Sequence, residues 1–306
     1  MTTAFAPLQR ILVATDFSSQ SKIALGCAVE IARTFQGQLK VVHCLPDFAF
    51  VPSASEFGLP LDDYMLMQQD FRREAVKTME EFLSENLPKD FLVTSSMLMG
   101  NPPYEVSEFA KLEKADLVVV GRTGQSGWDQ FLMGSTSRGI VHRCPCSVLS
   151  VGADWPGKPK RILVGTDFSD GSRVAVEEGM AIAGKYGAEL HLLHVIDTSD
   201  TPSHNVERIS GHESMRQSIN DYAQSRLEAF VQSLKCDSYP TKLHLNWGTP
   251  WRDLCQLATT LAVDLIIVGN VGRRGIQGLL MGNTSDKILT HCKTSVLAVR
   301  ELSGEV

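Results

Sequence analysis

Residues 116–124 read Asp-Leu-Val-Val-Val-Gly-Arg-Thr-Gly, and nine more residues separate them from Gly134-Ser135. The apolar, β-branched run predicts a strand buried on both faces of a parallel sheet. Glycines that leave such a strand and enter a helix let backbone N–H groups close on an anion. The pattern returns in residues 264–272, Asp-Leu-Ile-Ile-Val-Gly-Asn-Val-Gly, followed after nine residues by Gly282-Asn283. The chain is therefore predicted to carry two phosphate-binding loops.

The whole chain repeats, not only these loops. Residues 10–18, Arg-Ile-Leu-Val-Ala-Thr-Asp-Phe-Ser, return as Arg-Ile-Leu-Val-Gly-Thr-Asp-Phe-Ser at 161–169, an offset of 151 residues. Further along, Gly100 matches Gly248 and Gly121 matches Gly269, at an offset of 148. Constant offsets across many anchors indicate an internal duplication. We predict two domains, residues 1–152 and 160–306, joined by a short linker rich in glycine and proline.

Within each copy, apolar strands alternate with amphipathic helices. This order predicts an α/β fold in which each copy is a doubly wound domain with a five-stranded parallel sheet, and its ligand lies above the carboxyl ends of the strands. The strands are predicted at 10–14, 38–45, 91–99, 116–120, 147–151, 161–165, 189–196, 241–247, 264–268 and 295–300. The helices are predicted at 20–36, 64–87, from Pro102 onward, and at 135–143, 170–187, 212–235, 250–262 and 283–291.

One segment, residues 46–63, has no strong periodicity. Its three prolines and three phenylalanines predict a long loop, either simple surface variation or a lid or partner site.

Composition narrows the class of protein. The chain has 306 residues and a formal net charge of −6, which argues against a general nucleic-acid-binding or membrane-surface role. The amino terminus lacks the features of a secretory signal, and no apolar run is long enough to span a bilayer. The seven cysteines are scattered and odd in number, so we expect reduced, mostly apolar cysteines in a cytoplasmic protein.

The glycines are predicted to have separate tasks. Gly121 and Gly269 end the buried strands, where a side chain would obstruct a ligand lying over the strand ends. Gly124 and Gly272 are expected to turn the chain tightly with a positive φ. Gly134-Ser135-Thr136 opens the next helix and combines free N–H groups, the helix dipole and hydroxyls. Such a combination is typical of a triphosphate site.

Asp16 and Asp167 follow the first strand of their copies, at the same sheet edge. A carboxylate there is able to accept hydrogen bonds from a ribose or an adenine amine. The alternative is a structural role as the N-cap of the helix that begins near residue 19, because Asp-Phe-Ser also suits helix capping. Both alternatives remain open from the residues alone.

The chain resembles the universal stress proteins in their tandem two-domain form. The matching motifs are Ile-Leu-Val-Ala-Thr-Asp16-Phe-Ser, Val-Val-His43-Cys, Gly100-Asn-Pro and Gly121-x2-Gly-x9-Gly134-Ser, with their partners in the second copy. The glycine pattern resembles the ATP-binding signature of that family. The resemblance implies a flavodoxin-like domain, also described as adenine-nucleotide alpha hydrolase-like, with strand order 3-2-1-4-5. It also implies that the last strands pair across a pseudo-two-fold axis within one chain, with a homodimer as a further possibility.

The resemblance further implies which residues contact the nucleotide. The aspartate after the first strand would face adenosine, and the residue after the second-strand histidine, Cys44 or Val195, would lie behind the adenine. The copies depart from the family in complementary ways, because Gln125 replaces the usual basic residue in the first, and Asn283 replaces Ser or Thr in the second. The predicted nucleotide-binding residues are Thr15, Asp16, Cys44, Gly100, Gly121, Arg122, Gly124, Gly134, Ser135, Thr136, Thr166, Asp167, Val195, Gly248, Gly269, Asn270, Gly272, Arg273, Gly282, Asn283 and Thr284.

Other motifs indicate less. His43 and His194 end apolar strands and are expected to be satisfied core residues. His142-Arg-Cys144-Pro-Cys146 has no duplicated counterpart, so we predict no metal site there. A Walker-type phosphate loop and a first-strand Gly-x-Gly-x-x-Gly are missing from the sequence, which disfavours those classes of enzyme.

We expect an ATP-binding stress-response protein that acts as a sensor or switch, with ADP or AMP as alternative ligands and Mg²⁺ held through the phosphates. At most it would hydrolyse ATP slowly. Two other classes remain open: an interaction scaffold with degenerate sites, and an enzyme of adenylyl transfer.

Overall fold

The computed structural model describes residues 8–45, 61–124, 133–198, 213–234, 239–270 and 281–300. The chain divides into two compact units, one that ends at Val151 and one that begins at Gly152. The predicted linker, residues 152–159, therefore groups with the second unit.

The first unit is a five-stranded parallel sheet with strand order β3-β2-β1-β4-β5, as predicted. Its elements are β1 (Arg10–Ala14), α1 (Ser19–Phe35), β2 (Gln38–Leu45), α2 (Leu61–Asn86), β3 (Thr94–Met99), α3 (Pro102–Leu112), β4 (Leu117–Gly121), α4 (Ser135–Arg143) and β5 (Ser147–Val151).

The second unit repeats this topology with strand order β8-β7-β6-β9-β10, again parallel. Its elements are β6 (Arg161–Thr166), α5 (Asp170–Tyr186), β7 (Glu189–Asp197), α6 (Glu213–Gln232), β8 (Thr241–Gly248), α7 (Pro250–Thr260), β9 (Leu265–Gly269), α8 (Asn283–His291) and β10 (Ser295–Val299).

The central strands form the core because helices cover both faces of each sheet. All five residues of β4 are buried, and four of the five in β9. Their Val and Ile side chains suit a pleated surface that is packed on both sides. The prediction was wrong at the start of β3, which begins at Thr94 rather than residue 91. Leu92, in the apolar run before it, has 92% of its surface exposed and precedes the residues that pair with β2.

Helix boundaries also differ from the prediction, by up to three residues. The helix α2 begins at Leu61, so the last three residues of the predicted 46–63 loop are helical, and residues 46–60 lie outside the described part of the chain. The helix α1 begins with Ser18 as its N-cap, whose Oγ accepts a hydrogen bond from the Ser21 N–H at 3.2 Å. Ser169 caps α5 in the same way.

An aspartate joins two strands at the amino edge of each sheet. Asp116 Oδ2 accepts hydrogen bonds from the N–H groups of Gln9 (3.1 Å) and Arg10 (2.8 Å). Asp264 Oδ2 accepts the corresponding bonds from Lys160 and Arg161. These carboxylates hold the start of the first strand against the fourth, at the sheet edge opposite the glycine motifs.

The expectation of reduced cysteines was wrong for one pair. Cys255 in α7 and Cys292, the residue after α8, form a disulfide with their Cα atoms 5.3 Å apart. The sequence did not indicate this pairing because the two residues are 37 positions apart and resemble no disulfide motif. Within the described part of the chain, no helix has the length and apolar character needed to cross a membrane.

Candidate functional site

The predicted site residues gather where two adjacent strands end. In the first unit β1 and β4 are parallel neighbours, with Ala14 opposite Val120. In the second unit β6 and β9 have the same arrangement. The chain leaves these two strands towards opposite sides of the sheet, so the loops after them diverge and leave a crevice at the carboxyl edge.

A tight turn follows the first strand of each unit. Phe17 and Phe168 have φ angles of 63° and 64°, in the left-handed region that residues other than glycine rarely adopt. The hydroxyl of Thr15 supports the turn, since it accepts the Phe17 N–H at 3.0 Å and donates to Ser21 Oγ at 2.9 Å. Both copies keep this strained turn, and strain of this kind is commonly stored at functional sites.

Thr15 and Thr166 were predicted to contact nucleotide, but both are buried and their hydroxyls are engaged within the turn. Thr166 Oγ1 lies 3.0 Å from Ser172 Oγ and accepts the Phe168 N–H at 3.1 Å. Their role is to hold the turn that presents the next residue. Nucleotide contact by Thr15 and Thr166 stays a prediction, since the structure shows only that their hydroxyls support the turn.

The residue after each threonine, Asp16 or Asp167, is the aspartate for which the sequence left both a capping role and a ligand-contact role open. Ser18 and Ser169 are the N-caps, so Asp16 and Asp167 are not. Asp16 Oδ1 accepts a hydrogen bond from the Ser18 N–H at 3.1 Å, and Asp167 Oδ1 accepts one from the Ser169 N–H at 3.0 Å. These bonds orient each carboxylate at the carboxyl edge, which keeps the ligand-contact alternative.

The first glycine loop packs directly on this carboxylate. A Cβ atom at Gly124 would lie 2.6 Å from Asp16 Oδ2, and one at Gly134 would lie 3.8 Å from the Gly124 nitrogen. Asp16, Gly124 and Gly134 therefore meet at one point. The predicted positive φ at Gly124 was wrong, since its backbone does not lie in that region. Glycine is needed there because the carboxylate occupies the space of a side chain.

The strand-ending glycines also have a different role from the predicted one. A Cβ atom at Gly121 would lie 3.1 Å from the Gln20 carbonyl carbon, and one at Gly269 would lie 2.7 Å from the Gly171 carbonyl oxygen. Both contacts are with the first turn of the helix after the first strand. These glycines let α1 and α5 approach the sheet, and a side chain there would displace the helix rather than a ligand.

The second half of each motif opens a helix. Gly134 and Gly282 are the N-caps of α4 and α8, and neither provides a side-chain hydrogen bond to the first turn. The predicted free N–H of Gly134 is in fact used, since it donates to the Arg122 carbonyl at 2.8 Å and closes the loop. Gly282 likewise donates to Asn270 at 2.7 Å. The amides that remain for an anion belong to the next residues, Ser135 and Thr136 or Asn283 and Thr284, all four with exposed side chains.

Arg122 and Asn270 extend the sheet by one residue beyond the strand-ending glycines. Their N–H groups donate to Val151 at 3.0 Å and Val299 at 2.8 Å, and both side chains are buried. Burial lowers the pKa of Arg122 to about 10, so the guanidinium keeps its charge at neutral pH. The first unit thus has a buried cation beside its glycine loop, and the second has a neutral amide.

On the other side of the crevice, Cys44 is the next-to-last residue of β2, and Gly100 directly follows β3. The Cys44 thiol donates to the Gly100 carbonyl at 3.3 Å, and burial together with Glu105 raises its pKa to about 11. Gly100 has a φ of 130°, and a Cβ atom there would lie 2.7 Å from Glu105 Oε1. The Cys44 thiol therefore stays protonated and uncharged at neutral pH.

The second unit provides Val195 and Gly248 at these positions. Val195 is 9% exposed, and Gly248, with a φ of 157°, lies against the Asp253 carboxylate. Gly272 and Arg273 lie outside the described residues, so the second glycine loop is described only at Gly269, Asn270 and from Met281 onward.

Two kinds of residue at the site were not predicted. Ser137 Oγ donates to the Gly121 carbonyl at 2.6 Å, and Ser285 Oγ donates to the Gly269 carbonyl at 2.7 Å, which ties α4 to the end of β4 and α8 to the end of β9. Phe17 packs on the His43 ring with centroids 4.3 Å apart. The repeated Thr-Asp-Phe-Ser was the available signal, but sequence alone does not reveal a left-handed φ at Phe.

His43 and His194 are satisfied by hydrogen bonds, as predicted, but both are half-buried and not part of the core. His43 Nδ1 lies 2.8 Å from the Thr15 carbonyl, and His194 Nδ1 lies 2.9 Å from that of Thr166. The carbonyl fixes the proton on Nδ1 in the neutral ring. Among the described residues, no group of three or more His, Cys, Asp or Glu side chains could hold a metal ion. Cys144 and Cys146 of the discounted metal motif are buried.

Comparison with known proteins agrees with the duplication. A family model described as "Universal stress protein family" matches twice, at residues 7–152 and 158–300. A universal stress protein of Mycolicibacterium smegmatis is 25% identical over 296 residues, which cover 95% of this chain and 96% of that protein. One of Methanocaldococcus jannaschii is 31% identical over 153 residues, which cover 50% of this chain and 84% of that protein.

Solved structures share the fold. A functionally unknown protein of Pseudomonas aeruginosa aligns with a TM-score of 0.66 and 19% identity, over 96% of this chain and 93% of that one. A universal stress protein of Archaeoglobus fulgidus aligns with a TM-score of 0.60 and 19% identity, over 96% and 97% of the two chains.

Proposed function

Because the chain belongs to the universal stress protein family, we propose that each of its domains binds an adenine nucleotide at the carboxyl edge of its sheet. The preferred ligand is ATP, with ADP and AMP as weaker ligands. The observation that carries the proposal is the meeting of Asp16, Gly124 and the glycine-capped start of α4 in one crevice. The family's glycine pattern occupies these positions.

The phosphates would bind at the start of α4 and α8. A helix N-terminus presents unpaired N–H groups and the positive end of the dipole, and a glycine cap leaves those groups to an anion. Ser135 and Thr136 add exposed hydroxyls in the first domain, and Asn283 and Thr284 add an amide and a hydroxyl in the second. Arg122 supplies a buried positive charge next to the first site.

The nucleoside would lie across the ends of the first and second strands. Asp16 and Asp167 are held by the amides of Ser18 and Ser169, so a carboxylate oxygen is oriented at the edge where a ribose hydroxyl would donate. Cys44 and Val195 would form the wall behind the adenine.

Mg²⁺ would reach the site with the phosphates. Magnesium usually keeps several waters and binds through phosphate oxygens and few protein groups, so it needs no preformed protein cage. The exposed hydroxyls of Ser135, Thr136 and Thr284 at the helix starts are protein oxygens suited to it.

We further propose that the protein is a sensor or switch with little or no turnover, working in the cytoplasm, where ATP is available. Rapid phosphoryl transfer needs a group that positions the attacking water and a cation that stabilises the transferring phosphoryl. The His43 ring is bonded through Nδ1 to the Thr15 carbonyl and packs on Phe17, so its contacts are those of a structural residue.

The test is ATP titration of the full chain by calorimetry, combined with native mass spectrometry. Gly134→Ala is the informative variant, because its methyl group would make only ordinary contacts, 3.6 Å to the Arg122 carbonyl and 3.8 Å to Gly124. The fold is retained while the phosphate space is reduced, so we expect one of two ATP equivalents to weaken at least about tenfold, or about 1.4 kcal/mol.

Gly26→Ala is the matched control, since a Cβ atom there meets nothing within 4 Å. It should leave both sites unchanged. If the wild-type chain binds no adenine nucleotide, a scaffold with degenerate sites is the better description. Release of AMP and pyrophosphate would indicate adenylyl transfer instead.

A further inference from the structure

The disulfide between Cys255 and Cys292 joins two helices that both begin at the second candidate site. The helix α8 begins at Asn283, where the phosphates would bind, and Cys292 directly follows its last residue. The helix α7 begins at Pro250, just after Gly248, and Cys255 lies in its middle. The disulfide therefore connects the middle of α7 to the carboxyl end of α8, and both helices begin at the edge that carries the candidate site.

A second contact fastens the same pair of helices. The ring of Trp251 in α7 packs on the ring of His291 in α8, with centroids 4.9 Å apart. Side-chain packing of this kind allows small adjustments, whereas a covalent bond does not. The disulfide is thus the contact that would limit movement of α8 relative to α7.

The first domain contains a natural comparison. At the offset of 148, Cys255 and Cys292 correspond to Ser107 and Cys144, whose Oγ and Sγ atoms lie 3.6 Å apart between α3 and α4. The two positions face each other in both domains, but a cross-link is available only in the second. Any effect of thiol chemistry at this helix pair is therefore confined to one domain.

Exposure makes the second pair reachable. Cys255 is half-buried, whereas Cys292 is 3% exposed and Cys144 is fully buried. A thiolate reagent would attack the more accessible sulfur, Cys255 Sγ, with Cys292 as the leaving thiolate. Cys27, which is not disulfide-bonded, is fully buried, and burial raises its pKa well above the usual range, so it competes poorly.

We infer that Cys255 and Cys292 form a reversible thiol–disulfide site that sets the affinity of the second domain for its nucleotide; the affinity part of this inference rests on the proposed function. A dithiol reductant forms a mixed disulfide with Cys255 and releases Cys292, which takes up a proton. The second thiol of the reductant then closes its own disulfide and releases Cys255, which also takes up a proton. Two electrons and two protons pass from the reductant to the protein.

The direction of the effect follows from preorganisation. With the disulfide intact, α8 is held before the ligand arrives, so less ordering is required on binding. Reduction frees the helix pair, and the second site should lose affinity by about fivefold to tenfold, within the usual range of coupling between sites. The first site should be unaffected.

The experiment compares full-length protein in its oxidised form and after reduction with dithiothreitol. Alkylation and mass spectrometry should find two further modified thiols after reduction, at Cys255 and Cys292. Hydrogen exchange should become faster in residues 283–291 and stay constant in residues 135–143. ATP titration should show one weakened site. An unchanged thiol count, or equal exchange of α8 in both states, overturns the inference.

Reciprocal variants provide the control. Cys255→Ser copies the first domain's pair into the second and should reproduce the reduced state, with no response to dithiothreitol. Ser107→Cys, which leaves Cys255 and Cys292 in place, should make residues 135–143 respond to oxidation as well. If neither domain binds ATP in any state, the proposed function is wrong, while hydrogen exchange still decides whether the disulfide orders α8. If ATP binds equally in both states, the inference about affinity is wrong and the proposed function stands.

Discussion

The contact between Gly124 and Asp16 leads to the sharpest prediction for the site. In Gly124→Ala the new methyl carbon would lie 2.6 Å from Asp16 Oδ2, whereas ordinary contact begins at 3.4 Å. The carboxylate must therefore retreat by about 0.8 Å. Such a shift disrupts the hydrogen bond that Asp16 Oδ1 accepts from the Ser18 N–H, which is already 3.1 Å long. The backbone itself tolerates alanine, because the φ of Gly124 is not in the left-handed region.

The magnitude follows from two opposing terms. Loss of a buried hydrogen bond to a charged group destabilises a protein by about 1.5–3 kcal/mol. Because Asp16 is partly exposed, we take the lower end of this range, about 1.5 kcal/mol, as the destabilising term. Replacing glycine by alanine at a compatible conformation stabilises by about 0.4–1 kcal/mol through the unfolded state. We expect a net loss near 1 kcal/mol in the wild-type background. In an Asp16→Ala background the same substitution should be neutral or stabilising, so the coupling energy is about 1.5 kcal/mol.

The assay is a double-mutant cycle read by hydrogen exchange of the β4 amides, residues 117–121, which reports the first domain separately from the second. ATP titration of the same four proteins shows whether first-site affinity falls with the displaced carboxylate. Gly26→Ala is again the control, and it should stabilise α1 by about 1 kcal/mol. Equal effects of Gly124→Ala in both backgrounds would refute the packing of Gly124 on Asp16.

Three further outcomes are expected. Burial lowers the pKa values of His191 and His244, and His191 Nδ1 lies 2.9 Å from His244 Nε2. Near and below pH 6.5 the folded state therefore binds fewer protons than the unfolded state. The free energy of unfolding should be at its full value above about pH 6.5 and should decrease as the pH falls below it. Urea unfolding between pH 7 and 5 should record the loss, and an equal slope in His244→Gln would contradict it. Asp116→Ala removes the acceptor of two backbone N–H groups and should lower the free energy of unfolding by about 2–3 kcal/mol without weakening ATP binding. Urea unfolding and ATP titration of the same sample measure both effects. A loss of ATP affinity without a loss of stability would argue against a structural role. The disulfide closes a loop between residues 37 positions apart, so its reduction should destabilise the second domain by about 3–4 kcal/mol in a chain-entropy treatment. An unchanged unfolding midpoint for that domain would rule this out.

Most of the fold was predictable because its signals are local. Runs such as Leu-Val-Val-Val before Gly121 identify strands buried on both faces, and the constant offsets of 151 and 148 residues reveal the duplication without any contact information. The strand order required the family resemblance. Element boundaries agreed within about three residues, and the start of β3 moved because the apolar run at Leu92 turned out to be exposed.

The site was predicted as a set of positions, whereas the roles of those positions came from contacts. The glycine pattern identified the crevice, yet it did not reveal that Gly121 makes room for α1, or that Gly124 makes room for a carboxylate more than a hundred residues earlier in the chain. The pairing of Cys255 with Cys292 was equally invisible. Hydrophobic periodicity and turn chemistry depend on neighbours in sequence, so they can be read from one segment at a time. A collision, a shared hydrogen bond or a disulfide depends on the distance between two remote segments, and that distance exists only after the sheet and its helices have packed.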